Sequence, residues 1–143
     1  MSLKNLSVKN KIPKQYKVKL SNLRVNQIYK RFENTLKLDT NFIVAVSGGA
    51  DSLALAFLTK LFALKNNLNP KYYIIDHKLR IESTREALTV KKTLNSLNIN
   101  SKILTVRGKK PRNKIQSFAR EKRYDLLFSK CKKLRINNLI LGH

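Results

Sequence analysis

The sequence predicts an α/β fold, a Rossmann-like parallel sheet with helices on both faces, and two observations carry the prediction. Short β-branched runs alternate with helical stretches over twenty-odd residue crossovers, a spacing that parallel strands require and hairpins do not. The first run, Phe42-Ile43-Val44-Ala45-Val46, breaks into Ser47-Gly48-Gly49-Ala50-Asp51-Ser52 and opens directly into a helix. In that frame the free N–H groups of a helix and the positive end of its dipole face an anion, and glycines let the anion approach the backbone.

Taken in order, residues 1–21 are rich in lysine, hold no acid and contain Pro13, which predicts a loose basic arm. A disordered tail, a phosphate-tracking extension and an organelle-targeting peptide all fit such a composition. Residues 22–143 form the predicted domain. Leu23, Ile28, Phe32, Leu36 and Leu38 give a first amphipathic helix over Asn22–Leu38. After the strand and glycine loop, a helix apolar on most sides runs from Asp51 to about Lys65 and stops at Asn66-Asn67-Leu68-Asn69-Pro70. Tyr72–Ile75 is a second strand ending in Asp76-His77, followed by a helix over Ser83–Leu97. Lys102–Val106 is a third strand, trailed by the basic loop Arg107-Gly108-Lys109-Lys110-Pro111. A helix over Lys114–Leu134 and a fourth strand, Asn138–Leu141, lead to Gly142-His143. Ligands of open parallel sheets bind outside the carboxyl ends of the strands, so Ser47-Gly48-Gly49, Asp76-His77 and Gly142-His143 are expected on one edge.

In this chain of 143 residues, 31 Lys+Arg stand against 8 Asp+Glu, a formal charge of +23. A field of that strength favours a polyanionic partner, nucleic acid first, although the abundance of Lys, Asn and Ile also fits AT-rich codon drift. No run reaches bilayer-spanning length and no secretory signal is evident, so a soluble, non-secreted protein without a membrane partner is expected. The single Cys131 forms neither an internal disulfide nor a cysteine cage. It reads as an ordinary helix residue, with a reactive thiolate beside lysines as the other option.

The glycine loop is neither GxxxxGK[ST] nor GxGxxG. Ser47 and Ser52 offer hydroxyls, Gly48 and Gly49 offer backbone donors, and Asp51 is placed to hold Mg²⁺ against phosphates; alternatively Asp51-Ser52 only caps the helix. Ser-Gly-Gly-x-Asp-Ser after a strand resembles the pyrophosphate loop of the ATP pyrophosphatases, with their adenine-nucleotide alpha-hydrolase-like fold. Three further blocks resemble the tRNA(Ile)-lysidine synthetase family. They are Ile75-Asp76-His77-Lys78-Leu79-Arg80 with Glu82-Ser83 and Glu86-Ala87, Gln116 to Leu127, and Leu139-Ile140-Leu141-Gly142-His143.

The resemblance implies ATP and Mg²⁺ as cofactors, with isoleucine tRNA of anticodon CAU and free lysine as partners. ATP adenylates carbon 2 of the wobble cytidine, and the lysine ε-amine displaces AMP to form lysidine. Residues Ser47, Gly48, Gly49, Ala50, Asp51 and Ser52 then bind ATP. Asp51, Arg120 and His143 are the catalytic candidates, Arg120 for its bidentate fork or else as a solvated helix residue. Asp76 and His77 are candidates for contacts to ribose, substrate or lysine, or simply for loop entry. In the family, the Gly-His motif continues into paired aspartates, further strands and tRNA-binding domains. The resemblance therefore implies a fold truncated after the fourth strand, binding ATP weakly at most and forming no lysidine alone. The expected location is cytoplasmic, or an organelle matrix or stroma. A tRNA thiolase, a glutamine-dependent synthetase and a non-catalytic RNA-binding remnant are the competing readings. Thiolases commonly need more cysteines, and the basic charge points away from a small acidic substrate.

Overall fold

The computed structural model describes residues 12–142; His143 and the first eleven residues of the expected arm lie outside the described residues. The elements run α1 (Lys14–Leu20), α2 (Leu23–Thr35), β1 (Ile43–Val46), α3 (Ala50–Asn66), β2 (Lys71–Asp76), α4 (Ser83–Ser96), β3 (Ser101–Thr105), α5 (Ile115–Leu134) and β4 (Leu139–Leu141). All four strands are parallel, in the order β3-β2-β1-β4. The chain builds outward from β1 through β2 to β3, then crosses back to place β4 on the other side of β1. The reversal puts a crevice at the carboxyl ends of β1 and β4, as predicted.

The alternation of side chains along β1 divides the core in two. Val44 and Val46, with Tyr72 and Ile74 of β2, face a cluster supplied by α1 to α4, including Leu61, Phe62 and Leu94. Ile43, Ala45 and Tyr73 face the other way, onto Leu127 of α5. Burying each large aliphatic contributes about 1.5–3 kcal/mol, so β1, buried along its whole length, is the centre of both layers. Helix α3 is apolar on most sides because it lies under this sheet and beside its neighbours. In the middle of the helix the buried hydroxyl of Thr59 bonds back to Leu55 and meets the Tyr72 hydroxyl at 3.0 Å. The helix ends at Asn67, in the left-handed region at φ 55°, where asparagine is tolerated.

One expectation is corrected. The segment through Ser21 is not loose throughout, since Lys14–Leu20 forms α1 and Tyr16 is fully buried. The Tyr16 ring stacks on Phe57 at 4.8 Å, and its hydroxyl donates to the Leu97 carbonyl at 2.6 Å. Helix α2 is narrower than Asn22–Leu38 because Asn22 is its cap, accepting from the N–H groups of Arg24 and Val25. No helix among the described residues is long and apolar enough to cross a membrane.

Candidate functional site

The glycine loop turns from β1 into α3 at the crevice. Gly48 adopts φ +94°, which L side chains avoid, and a Cβ there would lie 2.5 Å from Cγ2 of Val90 on α4. Gly49 is the residue before α3, and no side chain caps that helix end. Its first N–H groups therefore lack intrahelical partners and face outward together. Ser52 is buried, and its Oγ accepts from the Ser47 N–H at 2.8 Å. That bond closes the turn on itself, so the Ser52 hydroxyl acts as a brace within the loop. Asp51, on the first turn of α3, is exposed.

Gly142, at the end of β4, presses against the same turn. A Cβ on it would sit 2.8 Å from the Ser52 Cα. Only glycine lets β4 approach the start of α3 this closely, which locks the two edges of the crevice together.

The third contribution comes from the end of β2. Asp76 is almost fully buried; its Oδ1 accepts from the Lys78 N–H at 3.1 Å and its Oδ2 from the Thr84 hydroxyl at 2.7 Å. Burial alone would raise its pKa, but the hydrogen bonds from Thr84 and Lys78 and the charge of Lys78 outweigh that and lower it. This carboxylate is spent on the loop 77–82, anchoring it to α4. The loop in turn delivers His77, Leu79 and Arg80 to a cavity of about 220 Å³, whose walls also include Ser47, Ser52, Val90 and Leu141. Burial pushes the His77 imidazole below its ordinary pKa, the Arg123 charge adds to this and Asp76 opposes it. The His77 Nδ1 is buried and makes no hydrogen bond to the described residues.

Of the residues expected at the site, Ser47 and Ser52 line the cavity, and Gly48 to Asp51 form the turn between them. Arg120 does not line it; this residue is exposed beside the Tyr124 ring. The arginine on α5 that does reach the cavity is Arg123. Its position was available from helical phase, because Leu127 and Cys131 follow it at successive four-residue steps and pack into the second core. Val90 and Thr84 carried no motif signal at all; both act through packing or bonding to residues distant in sequence. His143 lies outside the described residues.

A strand, a glycine turn and an uncapped helix start, closed by the end of a neighbouring parallel strand, define an α/β domain of the Rossmann-like, PP-loop kind. The sequence pattern of the PP-loop domain family matches residues 19–143, and the chain belongs to that family. It is 43% identical over 103 residues to a tRNA(Ile)-lysidine synthase of Bartonella henselae, covering 71% of this chain and 21% of that one. It is 37% identical over 122 residues to the tRNA(Ile)-lysidine synthase of Rickettsia felis, covering 81% and 28%. The chain thus spans between a fifth and three-tenths of these curated relatives. Among solved structures, the U34-tRNA thiolase NcsA of Methanococcus maripaludis superposes with a TM-score of 0.72 over 85% of this chain and 46% of that one. At 20% sequence identity, that likeness shows the shared fold.

Proposed function

We propose that this chain carries the ATP-binding part of a lysidine-forming ligase acting on isoleucine tRNA with the anticodon CAU. The observation that carries the reading is the glycine turn, held open by Gly48 at φ +94° and braced by Ser52, at the mouth of a cavity shaped by three strand ends. Membership in the PP-loop family implies use of ATP, and identity to the lysidine synthases supports the choice of reaction.

In this reading the N–H groups of Gly48 to Asp51 and the Ser47 hydroxyl grip the polyphosphate, which orients the α-phosphorus towards the wobble cytidine with pyrophosphate leaving in line. Among the described residues no cluster of three or more His, Cys, Asp or Glu forms a protein cage for a metal. The exposed Asp51 fits Mg²⁺, an ion that commonly takes one carboxylate together with phosphate oxygens. Bound there, Mg²⁺ would neutralise charge on the leaving pyrophosphate. Arg123 supplies fixed positive charge inside the cavity. His77, whose burial favours the uncharged imidazole, offers a ring nitrogen to the nucleoside or to the incoming amine. Arg120, exposed on α5 and outside the cavity lining, is left out of the candidate catalytic set, and His143 completes it. The thiolase reading is disfavoured by Cys131, which packs into the second core, where burial pushes its thiol pKa up.

The assignment is tested by a chimera in which residues 42–142 replace the aligned segment of the Bartonella henselae relative, supplied with CAU-anticodon tRNA, ATP and radiolabelled lysine. ATP-dependent transfer of label to tRNA is expected, with its loss in Asp51→Asn. A chimera that folds and binds ATP but transfers no lysine overturns the reading.

A further inference from the structure

We propose that the loop joining β3 to α5, residues 107–114, is a docking surface for the phosphate backbone of a folded RNA. Arg107, Lys109, Lys110, Arg112 and Lys114 are all exposed. No Asp or Glu occurs between Glu86 and Glu121, so the segment contains nothing to neutralise them. The ion pairs Lys78–Asp76 and Arg80–Glu86 belong to the loop after β2. Like charges on so short a loop repel one another, and an external polyanion relieves that repulsion.

The loop is also placed for a macromolecular substrate. The Val106 N–H donates to the Asp76 carbonyl at 2.9 Å, which fixes the end of β3 beside the end of β2. The basic loop therefore leaves the sheet on the edge that carries the glycine turn and the cavity. Gly108, at φ +108°, has open space where a Cβ would stand, so the loop turns sharply without packing inward and presents cations on both flanks. Arg107, at its base, lines a cavity of about 350 Å³ with Lys122 and Asp125 of α5, while Lys109, Lys110, Arg112 and Lys114 stand exposed beyond it. The loop carries no aromatic or large aliphatic side chain of the kind that inserts into lipid. A phosphate backbone, read by charge and without sequence, fits both observations. The choice of RNA over other polyanions rests on the tRNA reading above.

The test compares two triple variants of equal charge in the full chain. Lys109→Ala/Lys110→Ala/Arg112→Ala removes the loop charges, whereas Arg24→Ala/Lys30→Ala/Arg31→Ala removes exposed charges from α2, which packs in the cluster on the opposite face of the sheet from α5. Fluorescence polarisation with a labelled tRNA transcript is followed between about 50 and 200 mM salt, with ATP titrated in parallel. The loop triple is expected to lose about tenfold or more in RNA affinity and to reduce the salt slope by about 2–3. The α2 triple is expected to lose far less, and both should keep the parent's ATP affinity. Equal losses in the two triples, no loss in the loop triple, or loop-dependent binding to anionic vesicles but not to tRNA would each overturn the proposal. A parent chain that binds ATP but not tRNA defeats this proposal while leaving the ATP site standing; one that binds tRNA through the loop but not ATP does the reverse.

Discussion

Gly48→Ala is expected to destabilise the fold by about 2–5 kcal/mol and to abolish ATP binding. Two costs add. The left-handed backbone at φ +94° penalises any L side chain by roughly 1–2 kcal/mol, and a methyl group 2.5 Å from Val90 Cγ2 overpacks the interface between the loop and α4 by about 1–3 kcal/mol. Val90 is β-branched and has few rotamers into which to retreat. The double variant Gly48→Ala/Val90→Ala removes the clash but not the backbone strain, and Val90→Ala alone supplies the baseline for the cavity it leaves. In a double-mutant cycle the two substitutions should therefore couple favourably by more than about 1 kcal/mol. Urea denaturation reads stability and calorimetry reads ATP. Parent-like stability in Gly48→Ala, or additive effects in the cycle, would show that the loop does not pack as described.

Asp76→Ala is expected to cost about 1–3 kcal/mol and to weaken ATP binding although Asp76 does not line the cavity. The Thr84 hydroxyl and Lys78 N–H lose their acceptor, and the loop bearing His77, Leu79 and Arg80 loses its anchor. The pH dependence follows from the lowered pKa. A carboxylate whose folded pKa lies below its ordinary value of 3.8 contributes its full share of stability above that value and loses it as pH falls through the folded pKa. The stability difference between parent and variant should therefore be largest near neutral pH and shrink below pH 3.8. A gap that widens on acidification would contradict the assignment.

The order of strands and helices was legible because each carries its own period and punctuation. The Asn66-Asn67 stop and the turn after Val46 mark α3 and β1 without help from tertiary structure. Helix α1 was hidden, since its lysines mask a weak pattern and its anchor is tertiary: Tyr16 finds Phe57 and Leu97, far along the chain. The glycine turn between β1 and α3 was readable, but the division of labour inside it was not. A sequence shows two serines; only the bond from the Ser47 N–H to Ser52 Oγ separates the residue that faces a ligand from the one that holds the turn. For the same reason Asp76, placed at the crevice edge by topology, is buried and taken up by Thr84 and Lys78. The choice between Arg120 and Arg123 turned on the phase of α5, which has only Leu127 deeply buried and so gives a faint stripe.

The central claim is that the turn from Ser47 to Ser52 binds the polyphosphate of ATP, and calorimetric titration with ATP, pyrophosphate and AMP in the presence of Mg²⁺ tests it most directly. ATP and pyrophosphate should compete for one site, and AMP, lacking the groups the turn grips, should bind at least about tenfold more weakly, the effect of one or more lost charge-assisted hydrogen bonds. AMP binding as tightly as ATP, or pyrophosphate failing to displace ATP, would contradict the account.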